Sequence, residues 1–192
     1  MYMKLPLVCK YLPAFILAAG SFHAFAAGPE TGLSNFFKVN ETLYRGAQPS
    51  DQGWGVLAKL GVKTVIDLRM PDEHSTAAEE KAVTALGMKY VNIPMQGVVT
   101  PSEASISKAL MLMNSTSDGP VFVHCKRGAD RTGTVIAVYR IAHDHWDNGR
   151  AMHEAKSHGM RWTQIGLKRY IANYRPAVVA TTETAPVTPV AQ

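Results

Sequence analysis

The chain is predicted to form one α/β domain with a mainly parallel central sheet and helices on both faces. Short β-branched runs alternate with longer segments that have the apolar spacing of helices. The 192 residues suffice for one domain with a substantial core. Glycine and charged residues follow one buried strand directly, at the sheet edge where α/β proteins hold ligands.

The strands are predicted from β-branched and aromatic residues and from turn signals between them. An Asn40-Glu41 turn indicates a hairpin, and three further apolar runs indicate buried strands. The five predicted strands are 36–39, 43–45, 64–68, 90–93 and 121–124.

The helices are predicted from caps and apolar periodicity. Ser50 can cap a helix that carries Trp54, Leu57 and Leu60, and Gly61 ends it. Five more helices are predicted over 71–86, 101–113, 131–145, 148–157 and 163–174.

The first 26 residues are predicted to be a signal peptide. Lys4 and Lys10 precede an apolar run, and Ala24-Phe25-Ala26 supplies the small residues of a cleavage site before Ala27. We therefore expect a secreted or periplasmic protein with no stable membrane insertion after cleavage. A retained membrane anchor is the alternative.

The rest of the chain is divided into a domain and a tail. Residues 27–175 are expected to form the domain, and the Ala-, Thr- and Pro-rich residues 176–192 a disordered tail. Cleavage would remove Cys9 and leave Cys125 alone, and a lone thiol in an oxidising compartment indicates a thiol in use.

The charge of the chain is unevenly distributed. The net charge is +5, and between residues 126 and 175 there are ten Lys or Arg against four Asp or Glu. This basic half favours an anionic substrate. It lacks the basic stripe with interleaved aromatics that nucleic-acid-binding proteins show, so no nucleic-acid partner is expected.

The most informative motif is His-Cys-Lys-Arg-Gly-Ala-Asp-Arg-Thr-Gly, residues 124–133. The loop between the strand and the next helix can turn its N–H groups inward, and the helix points its positive end at the same place. Arg131 adds a planar fork for two phosphate oxygens. This positive potential favours the thiolate of Cys125, a nucleophile suited to the phosphorus of a phosphate ester.

This motif resembles the phosphate-binding loop of the cysteine-dependent protein tyrosine phosphatases, in the dual-specificity-like branch with bacterial secreted members. The segments 43–49, 61–69 and 92–94 occur in family order, so the resemblance covers roughly residues 35–175. It implies a protein tyrosine phosphatase-like fold and a phosphocysteine intermediate, without cofactor or metal. The expected partner is a phosphorylated protein or a small phosphate ester, and the expected oligomeric state is a monomer.

Separate roles are predicted for the residues of the motif. Cys125 is the nucleophile, and Arg131 binds the equatorial oxygens and stabilises the transition state. Thr132 can donate a hydrogen bond to the sulfur, and His124 is expected to brace the loop by hydrogen bonds. The predicted substrate-binding residues are Lys126, Arg127, Gly128, Ala129, Thr132 and Gly133.

The chain departs from the family at the general acid. The family usually takes an aspartate from the loop after the Ile-Pro strand, and residues 95–103 contain none. Asp130 is the first candidate, because phosphatases of the myotubularin type carry a proposed acid at the equivalent place. Its alternative role is to orient loop amides. Glu103 is the second candidate, although it also fits the first turn of a helix.

Four functions compete at this stage. The first is a protein tyrosine or dual-specificity phosphatase. The second, a phosphatase of inositol phosphates or phosphoinositides, is favoured by Lys126 and Arg127. The third, a phospho-binding pseudophosphatase, is favoured by the missing aspartate and opposed by Cys125 and Arg131. The fourth, a rhodanese-type sulfurtransferase, is disfavoured by the Arg-Thr-Gly sequence.

Two further sets of residues, three histidines and two arginines, have no assigned function in the sequence. His143, His145 and His153 fall near a helix end without convincing ligand spacing, so no metal site is predicted. Arg45 and Arg69, at strand ends, either support the site or form ordinary ion pairs.

Overall fold

The computed structural model describes residues 31–115 and 118–176. Strands and helices alternate along them. The strands are β1 (Phe37–Asn40), β2 (Leu43–Ala47), β3 (Thr64–Asp67), β4 (Lys89–Asn92) and β5 (Val121–Cys125). The α-helices are α1 (Asp51–Lys59), α2 (Thr76–Thr84), α3 (Glu103–Asn114), α4 (Asp130–Ala142), α5 (Asn148–Ser157) and α6 (Ile165–Asn173).

The sheet has the order β1-β2-β5-β3-β4. Only β1 runs antiparallel to its neighbour, in the predicted hairpin with β2, and the other pairs are parallel. β5 lies in the centre, where Cys125 pairs with Ala47 and His124 pairs with Asp67. The carboxyl ends of β2, β3 and β5 therefore meet beside the loop that follows Cys125.

Helices cover both faces of the sheet, as predicted. One face packs Ile66 and Val123 against apolar residues of α3 and α4. The other face packs Val65 and Phe122 against α1 and α2. Successive strand residues point to opposite faces, which divides the core in this way. α5 and α6 add a third layer on α4.

Polar caps fix where four helices begin. The side chains of Ser50, Ser75, Ser102 and Asp147 each accept a hydrogen bond from the amide three residues later. These bonds satisfy amides that the first helical turn would leave without partners. The predicted Ser50 cap is confirmed.

The predicted helix over 71–86 is wrong in one respect, because the chain breaks inside it. Pro71–Glu73 forms a short 3-10 helix, His74 is extended, and α2 begins only at Thr76. The ring of His74 turns into the protein, where its Nε2 lies 2.7 Å from Asp67 Oδ2. The break places Glu73 beside the loop after β5.

Two predictions concern residues outside the described ranges. The signal peptide of residues 1–26 and all but Pro176 of the predicted tail lie there. Among the described helices, none has the length and apolar character needed to cross a membrane.

Candidate active site

The cysteine loop, residues 125–131, connects β5 to α4 and packs against the end of β2. Gly128 has a φ of +68°, and an added Cβ would lie 2.5 Å from the amide nitrogen of Ala47. Arg45 reaches the loop from β2 and donates from Nη2 to the carbonyl of Gly128 at 2.8 Å. Burial lowers the pKa of Arg45 to about 10, so the side chain is still a cation at neutral pH. Arg45 thus supports the loop.

Cys125 lies at the floor of a small cavity over this loop. It is 2% exposed, and it is the one cysteine in the described ranges, with a free thiol. The cavity has a volume of about 160 Å³. Its lining is polar and mostly charged and consists of Glu73, Gly97, Cys125, Lys126, Arg127, Asp130, Arg131 and Arg161. The amino-terminal end of α4, which attracts anions, opens into the same space.

Arg131 is held in place by acceptors from two other parts of the chain. Its Nη1 donates to the carbonyl of Met95 at 3.2 Å and to that of Leu68 at 3.4 Å. Glu73 accepts from both Nη1 and Nη2, the latter at 2.9 Å. These contacts hold one edge of the guanidinium, and the side chain interacts with that of Cys125.

Charge stabilises this arrangement on both sides. Burial alone would lower the pKa of Arg131, but its hydrogen bond to Glu73 and its position beside Cys125 raise the pKa above the ordinary value. The hydrogen bond from Arg131 also holds the pKa of Glu73 below its ordinary value of 4.5. Glu73 is therefore an anion at neutral pH and positions Arg131. Its role is not evident from the sequence, although Glu73 follows β3 at the sheet edge where the site lies.

Asp130 lines the cavity, but its two oxygens are already occupied as acceptors. Oδ1 accepts from the amide of Arg161 at 2.9 Å. Oδ2 accepts from Nε of Arg161 at 3.2 Å and from Nη1 of Arg127 at 3.3 Å. The carboxylate thereby ties the cysteine loop to the segment between α5 and α6.

Glu103, the second candidate acid, lies elsewhere. Its Oε2 accepts a hydrogen bond from the hydroxyl of Tyr170 at 3.0 Å. Together with Arg169 it lines a separate cavity of about 320 Å³ between α3 and α6. The structure therefore does not bring Glu103 to Cys125.

The residues that join the loop to α4 are buried and closely packed. Ala129 and Thr132 are buried, and a Cβ on Gly133 would meet Ala155 and Met160 at 3.4 Å. Gly133 therefore allows α4 and α5 to pack closely. Within the described ranges, the Thr132 hydroxyl has no hydrogen-bond partner, so the predicted bond to the sulfur of Cys125 is not made in this structure.

The expectation that His124 braces the loop by hydrogen bonds is wrong in this structure. Neighbouring strand residues point to opposite faces, so the ring of His124 lies behind the sheet, away from Cys125. It stacks on Phe122 at 5.5 Å and meets the edge of Trp54 at 5.9 Å. Its Nε2 lies 3.0 Å from Oε1 of Glu79 but is not aligned for a hydrogen bond.

A buried ion cluster, formed by Asp67, Arg69 and Glu79, lies behind the sheet beside His124. Arg69 donates to Asp67 at 3.0 Å and 3.1 Å and also to Glu79. Tyr90 donates to Asp67 at 2.9 Å. Burial alone would raise the pKa of Asp67, but hydrogen bonds from Arg69 hold it below the ordinary value. The cluster fastens α2 to the sheet, and of its members only Arg69 was predicted to form ion pairs.

Part of this cluster has the donor set of a metal site. Ligand atoms of Asp67, Glu79 and His124 all lie within 4.8 Å of one another. The guanidinium of Arg69 already pairs with both carboxylates. A cation of the chain itself therefore offsets part of the negative charge of these two acids.

The family of the chain follows from its sequence as a whole. The family model described as "DSP-PTPase phosphatase fused to NAD+ Kinase" matches residues 29–170. The chain belongs to the DSP-PTPase phosphatase family. The dual specificity protein phosphatase TpbA of Pseudomonas aeruginosa is 29% identical to this phosphatase over 161 residues, which cover 80% of this chain and 71% of TpbA. The inositol diphosphatase DSP5 of Arabidopsis thaliana is 26% identical over 145 residues, 73% of this chain and 69% of DSP5.

Solved structures agree with this assignment. The crystal structure of P. aeruginosa TpbA has a TM-score of 0.65 at 26% identity and covers 78% of this chain and 89% of that one. A TpbA variant in complex with pTyr has a TM-score of 0.63 at 26% identity, over 77% and 87% of the two chains. The catalytic core of the PP-IP phosphatase SIW14 from S. cerevisiae, at 23% identity and a TM-score of 0.64 over 74% and 86%, shares the fold.

These findings confirm the predicted family and fold. The phosphatase is a cysteine-dependent hydrolase of phosphoric monoesters.

Proposed function

We propose that the phosphatase removes phosphate from tyrosine and other phosphorylated side chains of proteins, with Cys125 as its nucleophile. One observation carries the proposal: Cys125 lies at the floor of a polar cavity with Arg131 and the amino-terminal end of α4 directed at the same space. The dual-specificity name of TpbA and its complex with pTyr support a protein substrate.

The reaction has two steps, the formation and the hydrolysis of a phosphocysteine. The thiolate of Cys125 attacks phosphorus, an S–P bond forms, the P–O ester bond breaks, and the electron pair leaves on the substrate oxygen. Water then attacks the phosphocysteine, the S–P bond breaks, its electron pair returns to sulfur, and inorganic phosphate is released; the proton that water loses balances the one that the substrate oxygen takes up from solvent.

Arg131 and the loop stabilise the charge that develops in both steps. Glu73 and two carbonyls fix one edge of the guanidinium, so its remaining donors meet the equatorial oxygens without reorganisation. Loop amides and the α4 terminus complete the cradle. Lys126 and Arg127 stand at its mouth and attract the anionic substrate.

We assign Asp130 the positioning role, in preference to that of general acid. Its oxygens accept three hydrogen bonds from Arg161 and Arg127, so both of them already hold the cysteine loop to the segment that carries Arg161. The Asp130→Asn variant decides between the two roles. A positioning role predicts equal losses of kcat with an aryl phosphate and an alkyl phosphate. A much larger loss with the alkyl phosphate would identify Asp130 as the acid.

The test of the nucleophile is hydrolysis of para-nitrophenyl phosphate in the presence of EDTA. We expect turnover by freshly reduced protein and none by the Cys125→Ser variant. If the reduced wild-type protein gives no turnover, the phosphatase is a phospho-binding protein and this proposal fails.

A second substrate class is favoured by the charges at the cavity mouth. Lys126, Arg127 and Arg161 are exposed cations around one phosphate site, and substrates with several phosphates fit such a group. The relative DSP5 is named an inositol diphosphatase. Assays of a phosphotyrosine peptide and an inositol pyrophosphate side by side separate the classes, and a higher kcat/KM for the pyrophosphate would favour the second.

We also propose that the phosphatase acts outside the cytoplasm. The predicted signal sequence supports this location. Amino-terminal sequencing of the protein from the cell envelope should read from Ala27 onward. A start at Met1 would indicate a retained segment.

A further inference from the structure

Four exposed apolar residues, Val98, Val99, Trp162 and Ile165, lie on the two segments that line the cavity with Gly97 and Arg161, and they are called the apolar rim. Their exposed fractions are 62%, 47%, 82% and 64%. These are four of the seven large hydrophobic side chains that are exposed in the described ranges. Tryptophan is seldom left in water to this extent, and apolar side chains gathered at one place mark a binding surface.

The rim is joined to the cavity through its own chain neighbours. Gly97 and Arg161 line the cavity, and Val98 and Trp162 directly follow them in the sequence. The amide and guanidinium of Arg161 both bond to Asp130 of the cysteine loop. The rim therefore begins where the phosphate site ends.

The two segments of the rim also hold each other. A Cβ on Gly166 would lie 2.7 Å from the carbonyl oxygen of Val98, so the two backbones are in direct contact there. Lys168 donates from Nζ to the carbonyl of Trp162 at 2.8 Å and fixes the turn that presents the indole. The rim is a built surface with its apolar side chains directed outward.

The cavity itself has room for a phosphate and little more. Its volume is about 160 Å³, and charged side chains form most of its wall. The group that carries the phosphate must then lie on the rim. An aromatic ring matches that surface, because apolar and aromatic contacts are favourable there, whereas a ring covered with hydroxyls would lose hydrogen bonds to water.

The chemistry of the leaving group leads to the same class of substrate. The two carboxylates that line the cavity, Glu73 and Asp130, both accept hydrogen bonds from arginines. A site of this kind favours a substrate oxygen that departs without a full proton. The phenol of tyrosine ionises near pH ~10, far below the range of water and of the alkyl alcohols that resemble it.

We propose that Trp162, with Val98, is a platform for the ring of phosphotyrosine and sets a preference for aryl over alkyl phosphate esters. This inference rests on the proposed function, because it names the substrate class of the same site. Lys126, Arg127 and Arg161 lie beside the platform and suit acidic residues that flank the phosphotyrosine.

The test compares Trp162→Ala, Trp162→Phe and Met111→Ala with the wild type. Met111 is 64% exposed on α3, so its variant controls for the loss of an exposed apolar side chain. Each protein is assayed on two peptides that differ only in phosphotyrosine or phosphothreonine. Para-nitrophenyl phosphate, an alkyl phosphate and phosphoinositide in anionic vesicles complete the set.

We expect Trp162→Ala to lower kcat/KM for both aryl esters by about 3- to 10-fold, the range of one aromatic stacking contact. The alkyl esters should change less than about twofold. Trp162→Phe should keep most of the aryl activity, and Met111→Ala should match the wild type. An aryl-to-alkyl ratio in Trp162→Ala equal to that of the wild type would overturn the inference, and so would a loss confined to the vesicle substrate, which would make the rim a membrane contact.

The outcomes also separate this inference from the proposed function. If the wild type cleaves para-nitrophenyl phosphate but neither peptide, the protein substrate is wrong. The aryl-to-alkyl ratio on the two small esters still tests Trp162 in that case. If both peptides are cleaved and the ratio does not depend on Trp162, the proposed function stands and the platform is wrong.

Discussion

Substitution of Gly128 by alanine is expected to move the cysteine loop away from its working position. The new methyl carbon would lie 2.5 Å from the amide nitrogen of Ala47 and closer still to the carbonyl carbon of Gly46. Atoms in contact normally sit about 3.5–4.0 Å apart, so the loop must retreat by about 1 Å. Because both neighbours are backbone atoms of the central sheet, they cannot move aside cheaply, and the bond from Arg45 to the Gly128 carbonyl would stretch.

The loss of stability expected for Gly128→Ala has two parts. A non-glycine residue in the left-handed region costs about 1–2 kcal/mol, and overpacking adds about 1–3 kcal/mol. The free energy of unfolding should therefore fall by about 2–5 kcal/mol, which lowers Tm by about 5–15 °C in a domain of this size. Displacement of a catalytic group by about 1 Å can reduce the rate by about 10²-fold. We expect a loss of this order in kcat/KM for para-nitrophenyl phosphate, measured well below the Tm of the variant.

Gly55→Ala is the matched control. Gly55 lies inside α1, and nothing is within 4 Å of the added carbon. This variant should gain about 0.5–1 kcal/mol of stability and keep full activity, because alanine is the better helix residue. If Gly128→Ala has the Tm and kcat/KM of the wild type, then the close approach of the loop to β2 does not position Cys125, and the reasoning is refuted.

Two further substitutions test the charged groups. Glu73→Gln should lower kcat/KM by about 10- to 100-fold, because a charged hydrogen-bond partner of Arg131 is worth about 1.5–3 kcal/mol. Arg131 holds the pKa of Glu73 below 4.5, so the ion pair is intact above that pH and is lost as the pH falls through the lower pKa of the folded state. If Glu73→Gln still shows this loss of stability at acid pH, Glu73 is not the group responsible. Asp67→Asn should lower the free energy of unfolding in urea by about 1–3 kcal/mol, because Arg69 and Tyr90 lose their charged acceptor in the interior, while Glu79 still pairs with Arg69. The control is Asp72→Asn at an exposed position, which should change the free energy of unfolding by less than about 0.5 kcal/mol. If the two variants change it equally, the cluster does not stabilise the fold.

The sequence was most informative where local chemistry decides the structure. The β-branched run at Val121 ends at Cys125, and the residues that follow allow only a loop and then a helix, so the central strand and the nucleophile could be located. Ser50 and Gly61 likewise marked the ends of α1 correctly, because caps act within one turn.

The parts that escaped prediction depend on contacts between distant segments. Glu73 reads as the first turn of a helix, and only the extended His74 beside it, fixed by Asp67, turns its carboxylate toward Arg131. Because His124 directly precedes Cys125 in the sequence, both were expected at one site, but neighbouring strand residues point their side chains to opposite faces of the sheet. Trp162 has no local partner that would indicate a surface at the cavity mouth.

The buried ion cluster of Asp67, Arg69 and Glu79 limits how the sequence can diverge. Loss of Arg69 leaves two carboxylates without their cation, and loss of either acid leaves donors of Arg69 without an acceptor in the interior, whereas exchange of all three for apolar residues of similar volume can cost less. Evolution therefore has few acceptable single steps at these positions. In the phosphatases related to this chain, the three positions should covary as one unit, kept together or replaced together.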